Sequence, residues 1–262
     1  NISGKTEIKD FLPSRDHTEI LLKYLGADIQ VKKSKNKSII TINGPIILKK
    51  KDIDVPGDFS SAAFVMVATI LCKDSEVIIK SLGINFFRTG LLDILKKMNA
   101  KINILDQWEE NGERIADIKI RSSSLVGCKI NGKISTRAID EYPILFVAAS
   151  FACGCTEFNG LEELKFKESD RLSAMAEALM KSGVKLELGK KSIKIYGQKS
   201  QKGGVQIKTY DDHRIAMSMI VFGLISEKPI IIDQIKMIET SFPDFAGLMK
   251  KLGAKINYVQ KP

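Results

Sequence analysis

The chain has 262 residues, 44% of them hydrophobic, and a formal net charge of +10 at pH 7. A chain of this length can bury a sizeable core, so the composition predicts a soluble globular protein of one or two domains. No apolar run approaches the roughly 20 residues that cross a bilayer, and the first residues lack the layout of a signal peptide. These features argue against a membrane partner.

The positive charge makes a nucleic-acid-binding module one alternative, because clustered cations release counterions from a phosphate backbone. Of the 41 basic residues, however, 34 are Lys and 7 are Arg, and the Lys residues are scattered along the chain. The densest stretch, residues 31–51, holds seven Lys and no acid but alternates with apolar residues, a pattern typical of solvated strand faces. We therefore expect no nucleic-acid partner, and the scarce Arg residues become the more informative ones.

The cysteines do not form a zinc motif. Cys153 and Cys155 make a Cys-x-Cys pair with no nearby His or second pair, and Cys72 and Cys128 stand alone. We expect four buried free thiols, no metal site and a cytoplasmic location.

One pattern recurs four times along the chain: an amphipathic helix that ends in Gly or Asn, followed by a strand. A left-handed residue at the end of each helix closes it. The copies span residues 21–29, 92–102, 176–186 and 245–256, and their closing residues are Gly26, Asn99, Gly183 and Gly253.

A second kind of helix lies between these copies and is apolar nearly all round, which predicts an interior position. Each such helix has an acid at or near its cap, and a short strand follows it. The starts of these helices are Asp58-Phe59-Ser60-Ser61, Asp140-Glu141-Tyr142-Pro143 and Asp212-His213-Arg214. The strands that follow them are predicted at residues 76–80, 156–159 and 229–233.

The predicted unit is a buried helix, a strand, an amphipathic helix and two strands, which is an α/β (α+β) fold. Residues 53–262 are predicted to hold three complete units. Residues 1–52 supply only the second half of another unit, with a helix that starts near Ser14 and strands at 29–33 and 38–42. Because the chain also begins without Met, we expect a fragment that starts inside a repeat.

The run Lys167-Glu168-Ser169-Asp170-Arg171 precedes the amphipathic helix of the second complete unit. If the helix begins here, Lys167 and Arg171 lie on one face, one turn apart, with Glu168 beside them. Two cations at a helix start oppose the macrodipole, so this run favours a site for an anion. An ordinary ion pair, with Ser169 or Asp170 as the cap, is the alternative.

Two of these acidic helix starts contain further candidate site residues. Arg214 lies at the edge of a predicted core, where an unpaired guanidinium is costly, so it needs Asp211, Asp212 or a substrate carboxylate as its partner. Asp140 can cap its helix or act as general base toward a hydroxyl.

The helix start at residues 14–19 gathers Ser14, Arg15 and His17 within one turn. Such a start suits a phosphate group, and an ordinary capped helix is equally compatible with the spacing.

Six motifs together resemble the enolpyruvylshikimate phosphate synthase family, in its order and at its spacing. They are Ser-Arg-Asp-His-Thr-Glu at 14–19, Pro-Gly-Asp-Phe-Ser-Ser-Ala at 56–62, Asp-Glu-Tyr-Pro at 140–143, Lys-Glu-Ser-Asp-Arg-Leu at 167–172, Asp-Asp-His-Arg at 211–214 and Ser-Phe-Pro-Asp-Phe at 241–245.

The resemblance implies transfer of the enolpyruvyl group of phosphoenolpyruvate to the 5-hydroxyl of shikimate 3-phosphate, with release of phosphate and with no metal or organic cofactor. It also implies the inverse α/β barrel fold of the enolpyruvyl transferases, in two domains of three units each. Residues 1–52 would then be the final part of a truncated amino-terminal domain, and residues 53–262 the carboxy-terminal domain. We expect the protein to be a monomer. We also expect this chain alone to be inactive, because the amino-terminal segment that it lacks holds part of the site.

By position, Asp140 resembles the aspartate that binds the shikimate ring and takes the hydroxyl proton. Lys167 and Glu168 resemble the pair that assists proton transfer at the enol carbon and the leaving group. The substrate-binding residues implied by the resemblance are Arg171 and Arg214 on phosphoenolpyruvate, Ser14 on the shikimate phosphate with Arg15 beside it, Lys167, and His213 in an open role. Where some members have Lys, this chain has Thr240.

Three alternatives to this function are an enolpyruvyl transferase acting on a nucleotide sugar, a nucleic-acid-binding repeat module, and a scaffold that has lost catalysis.

Overall fold

The computed structural model describes residues 3–11, 14–34 and 37–259. Its helices are α1 (His17–Tyr24), α2 (Phe59–Leu71), α3 (Gly90–Lys97), α4 (Ser135–Ala138), α5 (Tyr142–Ser150), α6 (Arg171–Lys181), α7 (His213–Ile225), α8 (Lys236–Ser241) and α9 (Phe245–Lys251). Its strands are β1 (Gly4–Asp10), β2 (Ile29–Ser34), β3 (Lys37–Gly44), β4 (Glu76–Gly83), β5 (Lys101–Glu110), β6 (Glu113–Arg121), β7 (Lys129–Ile130), β8 (Gly154–Asn159), β9 (Lys185–Leu188), β10 (Ser192–Gly197), β11 (Gln206–Ile207) and β12 (Ile231–Ile232).

The centre of the molecule is built from α2, α5 and α7, which pack against one another. Their interior position, predicted from their apolar sequences, is confirmed, since every residue of α5 is buried. Two buried hydroxyl groups in α5 and α2 donate to their own helix backbone: Ser150 to the carbonyl of Phe146 and Thr69 to that of Val65. These helices can therefore be buried without leaving those hydroxyls unpaired.

The amphipathic helices α1, α3, α6 and α9 end as the sequence predicts. Each is followed within two residues by a residue with a left-handed backbone, and this prediction is confirmed at all four positions. The φ angles are +94° at Gly26, +70° at Asn99, +95° at Gly183 and +99° at Gly253.

The described strands form four separate open sheets and no closed barrel. Two are antiparallel and three-stranded, in the orders β1-β3-β2 and β4-β6-β5. A third has the order β7-β8-β10-β9, with β7 parallel to β8 and the other pairs antiparallel. The fourth is the parallel pair β11-β12.

The strand expected at residues 254–256 of the third unit does not form among the described residues. In the first two units, the final strand of the unit is the middle strand of its sheet, as β6 lies between β4 and β5 and β10 between β8 and β9. After α9, residues 254–259 belong to no strand.

Some boundaries and burials also differ from the prediction. Helix α1 begins at His17 rather than near Ser14, and the apolar run from Ile144 leaves the helix after Ser150. Strand β1 was not predicted, because its seven residues include one apolar side chain, Ile8, and therefore show no alternation. It pairs along its own whole length with residues 38–44 of β3.

The expectation of buried thiols is wrong. Cys153 and Cys155 are exposed, while Cys72 and Cys128 are partly buried, and all four are free. Strand β8 begins at Gly154, so this pair lies at the solvent-facing start of a strand rather than in the core helix before it.

Among the described residues, no helix has the length and apolar character needed to cross a membrane.

Candidate active site

Asp140 lies between α4 and α5 and does not cap α5. The N-cap position belongs to Glu141, whose side chain makes no cap hydrogen bond either, so the capping alternative for Asp140 is wrong. The Asp140 side chain is 13% exposed. Its carboxylate is instead turned toward basic side chains from three other parts of the chain.

Four cations surround the Asp140 carboxylate. Arg15 donates a short hydrogen bond from Nη2 to Oδ2. Lys167 Nζ and Arg171 Nη1 lie 3.6 and 3.3 Å from Oδ1, and Arg214 Nη2 lies 3.9 Å from Oδ2. Burial alone would raise the pKa of the Asp140 carboxyl, but the charges of Arg214, Arg15 and Lys167 outweigh it and hold the pKa well below its usual range.

Lys167 and Arg171 do not share a helix face as predicted. Lys167 ends a 3₁₀ turn at Glu162–Phe166, and α6 begins only at Arg171. Asp170 caps α6 by accepting the Ser173 backbone N–H at 3.0 Å. The two cations meet because both reach Asp140, a partner that lies far away in sequence.

Arg171 is almost completely buried, with 1% of its side chain exposed. Each guanidinium nitrogen donates to a different carboxylate: Nη2 to Glu168, Nη1 to Asp140 at 3.3 Å and Nε to Asp212 at 2.8 Å. Of the alternative explanation, the Asp170 cap is confirmed, but the ion pairs of Arg171 are buried and do not lie on a helix surface. A buried guanidinium is tolerated when its donors are matched in this way.

Asp212 joins the starts of two helices. It is fully buried, accepts the Ser169 hydroxyl at 3.0 Å, and caps α7 by accepting the Arg214 backbone N–H at 2.9 Å. Because it also binds Arg171, it holds the start of α6 beside the start of α7.

The side chain of Arg214 is paired by neither of the acids that the sequence suggested. Its Nη1 donates to the Asp140 backbone carbonyl at 3.1 Å and lies 3.9 Å from Glu141 Oε1. Glu141 is the partner that sequence reasoning missed, since an acid at a helix start is ordinarily explained as a cap. His213 begins α7, and burial, followed by the charge of Arg214, lowers its pKa and favours the neutral imidazole.

A cleft of about 270 Å³ opens beside Asp140 and is lined by both predicted and unpredicted residues. The predicted ones are Ser14, Arg15, Asp140 and Lys167. The ones that were not predicted are Thr136, Ile139 and Glu163, for which the only sequence signal is their closeness to Asp140 or Lys167.

The rest of the helix start at 14–19 contacts protein groups. The Asp16 carboxylate accepts from Lys33 at 2.7 Å and from Asn85 at 2.8 Å, and His17 Nδ1 lies 2.5 Å from Glu113 Oε1. His17 and Glu113 line a second cleft, of about 280 Å³. These contacts fasten α1 to the body of the chain and leave Ser14 and Arg15 to face the first cleft.

The arrangement suits small anions. Four cations lie within 4 Å of one carboxylate beside a cleft, so phosphate or carboxylate groups can compete with Asp140 for them. Asp140 and Lys167 line this cleft, whereas Glu168 contacts Arg171 behind it. Among the residues that the structure describes, no group of three or more His, Cys, Asp or Glu side chains has the arrangement of a metal site.

Comparison with known proteins gives a family match along most of the chain. The model of the family described as EPSP synthase (3-phosphoshikimate 1-carboxyvinyltransferase) matches residues 1–249. The 3-phosphoshikimate 1-carboxyvinyltransferases of Bartonella quintana (strain Toulouse) and Brucella canis are 44% and 45% identical over 260 and 259 residues. Each comparison covers 98% of this chain but 59% and 58% of the relative. The chain therefore spans less than two thirds of these relatives.

Solved structures agree with this match. An EPSP synthase from Acinetobacter baumannii superposes with a TM-score of 0.91 at 39% identity, over 98% of this chain and 59% of that one. The enolpyruvyl transferase NikO from Streptomyces tendae superposes with a TM-score of 0.79 at 18% identity, over 99% and 58%, a likeness that shows the fold alone. The expected enolpyruvyl transferase-like fold is therefore confirmed. The described part of the chain contains open sheets and no closed barrel.

Proposed function

Because this chain belongs to the EPSP synthase family, we propose that the full-length protein transfers the enolpyruvyl group of phosphoenolpyruvate to the 5-hydroxyl of shikimate 3-phosphate and releases phosphate. The observation that carries the proposal is the convergence of Arg15, Lys167, Arg171 and Arg214 on Asp140 beside a cleft. Both substrates are anions, and a fixed group of cations is what would hold them together.

We take the residue roles from the resemblance to the family, and the positions of the groups are compatible with them. Ser14 and Arg15 line the cleft and would bind the shikimate phosphate. Arg171 and Arg214, with His213 beside them, would bind the phosphoenolpyruvate carboxylate at the starts of α6 and α7. Lys167 faces the same cleft from the end of the 3₁₀ turn and would contact both substrates.

The chemistry is an addition followed by an elimination. Asp140 takes the proton of the 5-hydroxyl, whose oxygen bonds to C2 of phosphoenolpyruvate, while an acid protonates C3. The elimination then removes a proton from C3 and breaks the bond between C2 and the phosphate oxygen. We assign the proton transfers at C3 and at the departing phosphate to Lys167 and Glu168.

Substrate anions should change the protonation behaviour of Asp140. A carboxylate compensated by several cations is a weak base, because its pKa is held low. A phosphate on Arg15 and a carboxylate on Arg214 would share those cations and so raise the Asp140 pKa toward the range of a useful base.

Glu168 must also move for Arg171 to bind substrate directly. The Glu168 side chain is 52% exposed, whereas the other two carboxylates on Arg171 are largely or fully buried. The carboxylate of phosphoenolpyruvate would therefore replace Glu168 on Nη2 and leave Glu168 free to transfer a proton.

We also propose a cytoplasmic monomer that needs no cofactor. In this proposal, residues 1–52 finish an amino-terminal domain, residues 53–262 form the carboxy-terminal domain, and an amino-terminal segment outside this chain completes the site. The chain alone would then bind its substrates too weakly for turnover.

A choice of acceptors tests the proposed reaction. We incubate the full-length protein with phosphoenolpyruvate and one of two acceptors, shikimate 3-phosphate or a nucleotide sugar. The released phosphate is measured in each reaction. We expect release only with shikimate 3-phosphate. Release with the nucleotide sugar alone would assign the protein to another enolpyruvyl transferase reaction, and release with neither would overturn the proposal.

A further inference from the structure

Glu141 is a buried carboxylate to which the proposed reaction gives no role. It occupies the N-cap position of α5 without capping it, and it is 2% exposed. A carboxylate in such a position is costly unless hydrogen bonds or opposite charges compensate it. Its partners therefore indicate why the fold keeps it there.

A chain of hydrogen bonds leads to Glu141 from the start of α2. Arg88 Nη2 donates to Ser60 Oγ at 2.8 Å, and Ser60 Oγ donates to Glu141 Oε1 at 2.6 Å. The direction is fixed, because a guanidinium can only donate and the Ser60 hydroxyl is then free to donate to Glu141. Arg88 is itself held by Asp58 at 2.7 Å.

The same oxygen of Glu141 faces Arg214. Glu141 Oε1 lies 3.9 Å from Arg214 Nη1, the nitrogen that donates to the Asp140 backbone carbonyl. The hydrogen bond to the carbonyl and the ion-pair contact with Glu141 thus both fall on Nη1, while Nη2 lies 3.9 Å from the Asp140 carboxylate. Glu141 is therefore placed where its charge can attract one nitrogen of Arg214 while the other faces Asp140.

We infer that Glu141 is a positioning residue for Arg214, and that Ser60 and Arg88 hold Glu141 in turn. This inference rests on the proposed function. It extends the phosphoenolpyruvate-binding machinery to α2, which supplies no residue that lines the cleft beside Asp140.

Two effects of Glu141 on substrate binding oppose each other. Its negative charge weakens the attraction of Arg214 for an anion. Its contact with Arg214, however, restricts that side chain before binding, so less conformational entropy is lost when the anion binds. The preformed hydrogen-bond chain and the burial of Glu141 favour the second effect. Glu141→Gln, which keeps the shape and the bond from Ser60 but removes the charge, separates the two.

The test measures steady-state kinetics of the full-length protein with each substrate varied in turn. For Glu141→Gln we expect the KM for phosphoenolpyruvate to rise about tenfold, which corresponds to about 1.4 kcal/mol. We expect the KM for shikimate 3-phosphate to stay unchanged and kcat to change less than the KM does. The matched control is Glu157→Gln, which removes a surface carboxylate 3.4 Å from Lys129 and should leave all three constants unchanged.

Ser60→Ala tests whether Ser60 holds Glu141 in place, since it removes the hydroxyl that donates to Glu141 but keeps the Glu141 charge. It should raise the KM for phosphoenolpyruvate by a smaller factor, and the double variant should match Glu141→Gln alone.

The outcomes are separable. An unchanged or lower KM for phosphoenolpyruvate in Glu141→Gln overturns the inference, and so does an equal rise in both KM values with a lower melting temperature, which indicates a merely structural role. If the unsubstituted protein has no turnover, the proposed function falls and the inference falls with it.

Discussion

At the scale of single residues, Asp140 balances the charges of the site. It is one carboxylate among four basic side chains, which come from the residues just before α1, from the end of the 3₁₀ turn and from the starts of α6 and α7. The residue types could be predicted from sequence, because Arg is scarce and three of the seven lie at or just before helix starts. Their convergence could not, because Arg15 and Asp140 are 125 positions apart and only the fold joins them.

The low pKa of Asp140 predicts a pH-dependent contribution to stability. Since the folded-state pKa is depressed, this contribution is fully present above the ordinary Asp pKa of about 3.9 and is lost as the pH falls through the folded pKa. Asp140→Asn should therefore lower the free energy of unfolding at pH 7 and have less effect with increasing acidity below pH 4. Urea unfolding of both proteins from pH 7 to pH 3 measures this difference, and a difference that grows toward pH 3 would have the wrong sign.

The burial of Arg171 predicts a large stability cost for its removal. Arg171→Met should lower the free energy of unfolding by about 3–5 kcal/mol, because Asp212 stays fully buried and loses its cationic partner. Guanidinium unfolding measures the change. The control Arg121→Met breaks an exposed pair with Glu76 and should have a much smaller effect. Equal effects of the two substitutions would show that burial of the pair does not matter.

At the scale of elements, the sequence predicts helices better than strand partners. The interior helices α2, α5 and α7 and the four left-handed helix ends follow from local composition and from Gly or Asn, so they could be found without the fold. Strand β1 could not, since it is polar and depends on pairing with β3. The strand expected at 254–256 failed for the same reason, because a strand needs a neighbour that local sequence does not reveal.

The end of β10 packs directly on the end of α5. A Cβ added at Gly197 would lie 2.1 Å from the Ala152 carbonyl oxygen and 2.4 Å from that of Ala149, both of them backbone atoms. Gly197→Ala should therefore destabilise the protein by at least 1–3 kcal/mol, the usual cost of overpacking.

Gly223→Ala is the matched control for this prediction. Gly223 lies inside α7, and an added Cβ would come no closer than 3.4 Å to any neighbouring atom outside the helix backbone, so Ala should be neutral or stabilising by up to about 1 kcal/mol. Melting temperatures of the two variants measure the contrast. A Gly197→Ala protein as stable as Gly223→Ala would contradict the close packing of β10 on α5.

At the scale of the whole molecule, the site draws on both predicted parts of the chain. Ser14 and Arg15 come from residues 1–52, whereas Asp140 and Lys167 come from residues 53–262. The contacts of Asp16 with Asn85 and of His17 with Glu113 hold α1 where Arg15 can reach Asp140. The net charge of +10 is therefore relevant to function mainly through the few cations that the fold gathers in one place.

If these cations and Asp140 catalyse enolpyruvyl transfer in the full-length protein, the products of the reaction should show it. The most direct measurement is mass spectrometry of the reaction of phosphoenolpyruvate with shikimate 3-phosphate, with released phosphate measured in parallel. We predict an enolpyruvyl ether of shikimate 3-phosphate formed one to one with phosphate, about 100- to 10,000-fold slower formation with Asp140→Asn, and none with the 262-residue chain alone. Phosphate release without the ether, or an Asp140→Asn protein as fast as the unsubstituted one, would contradict this account.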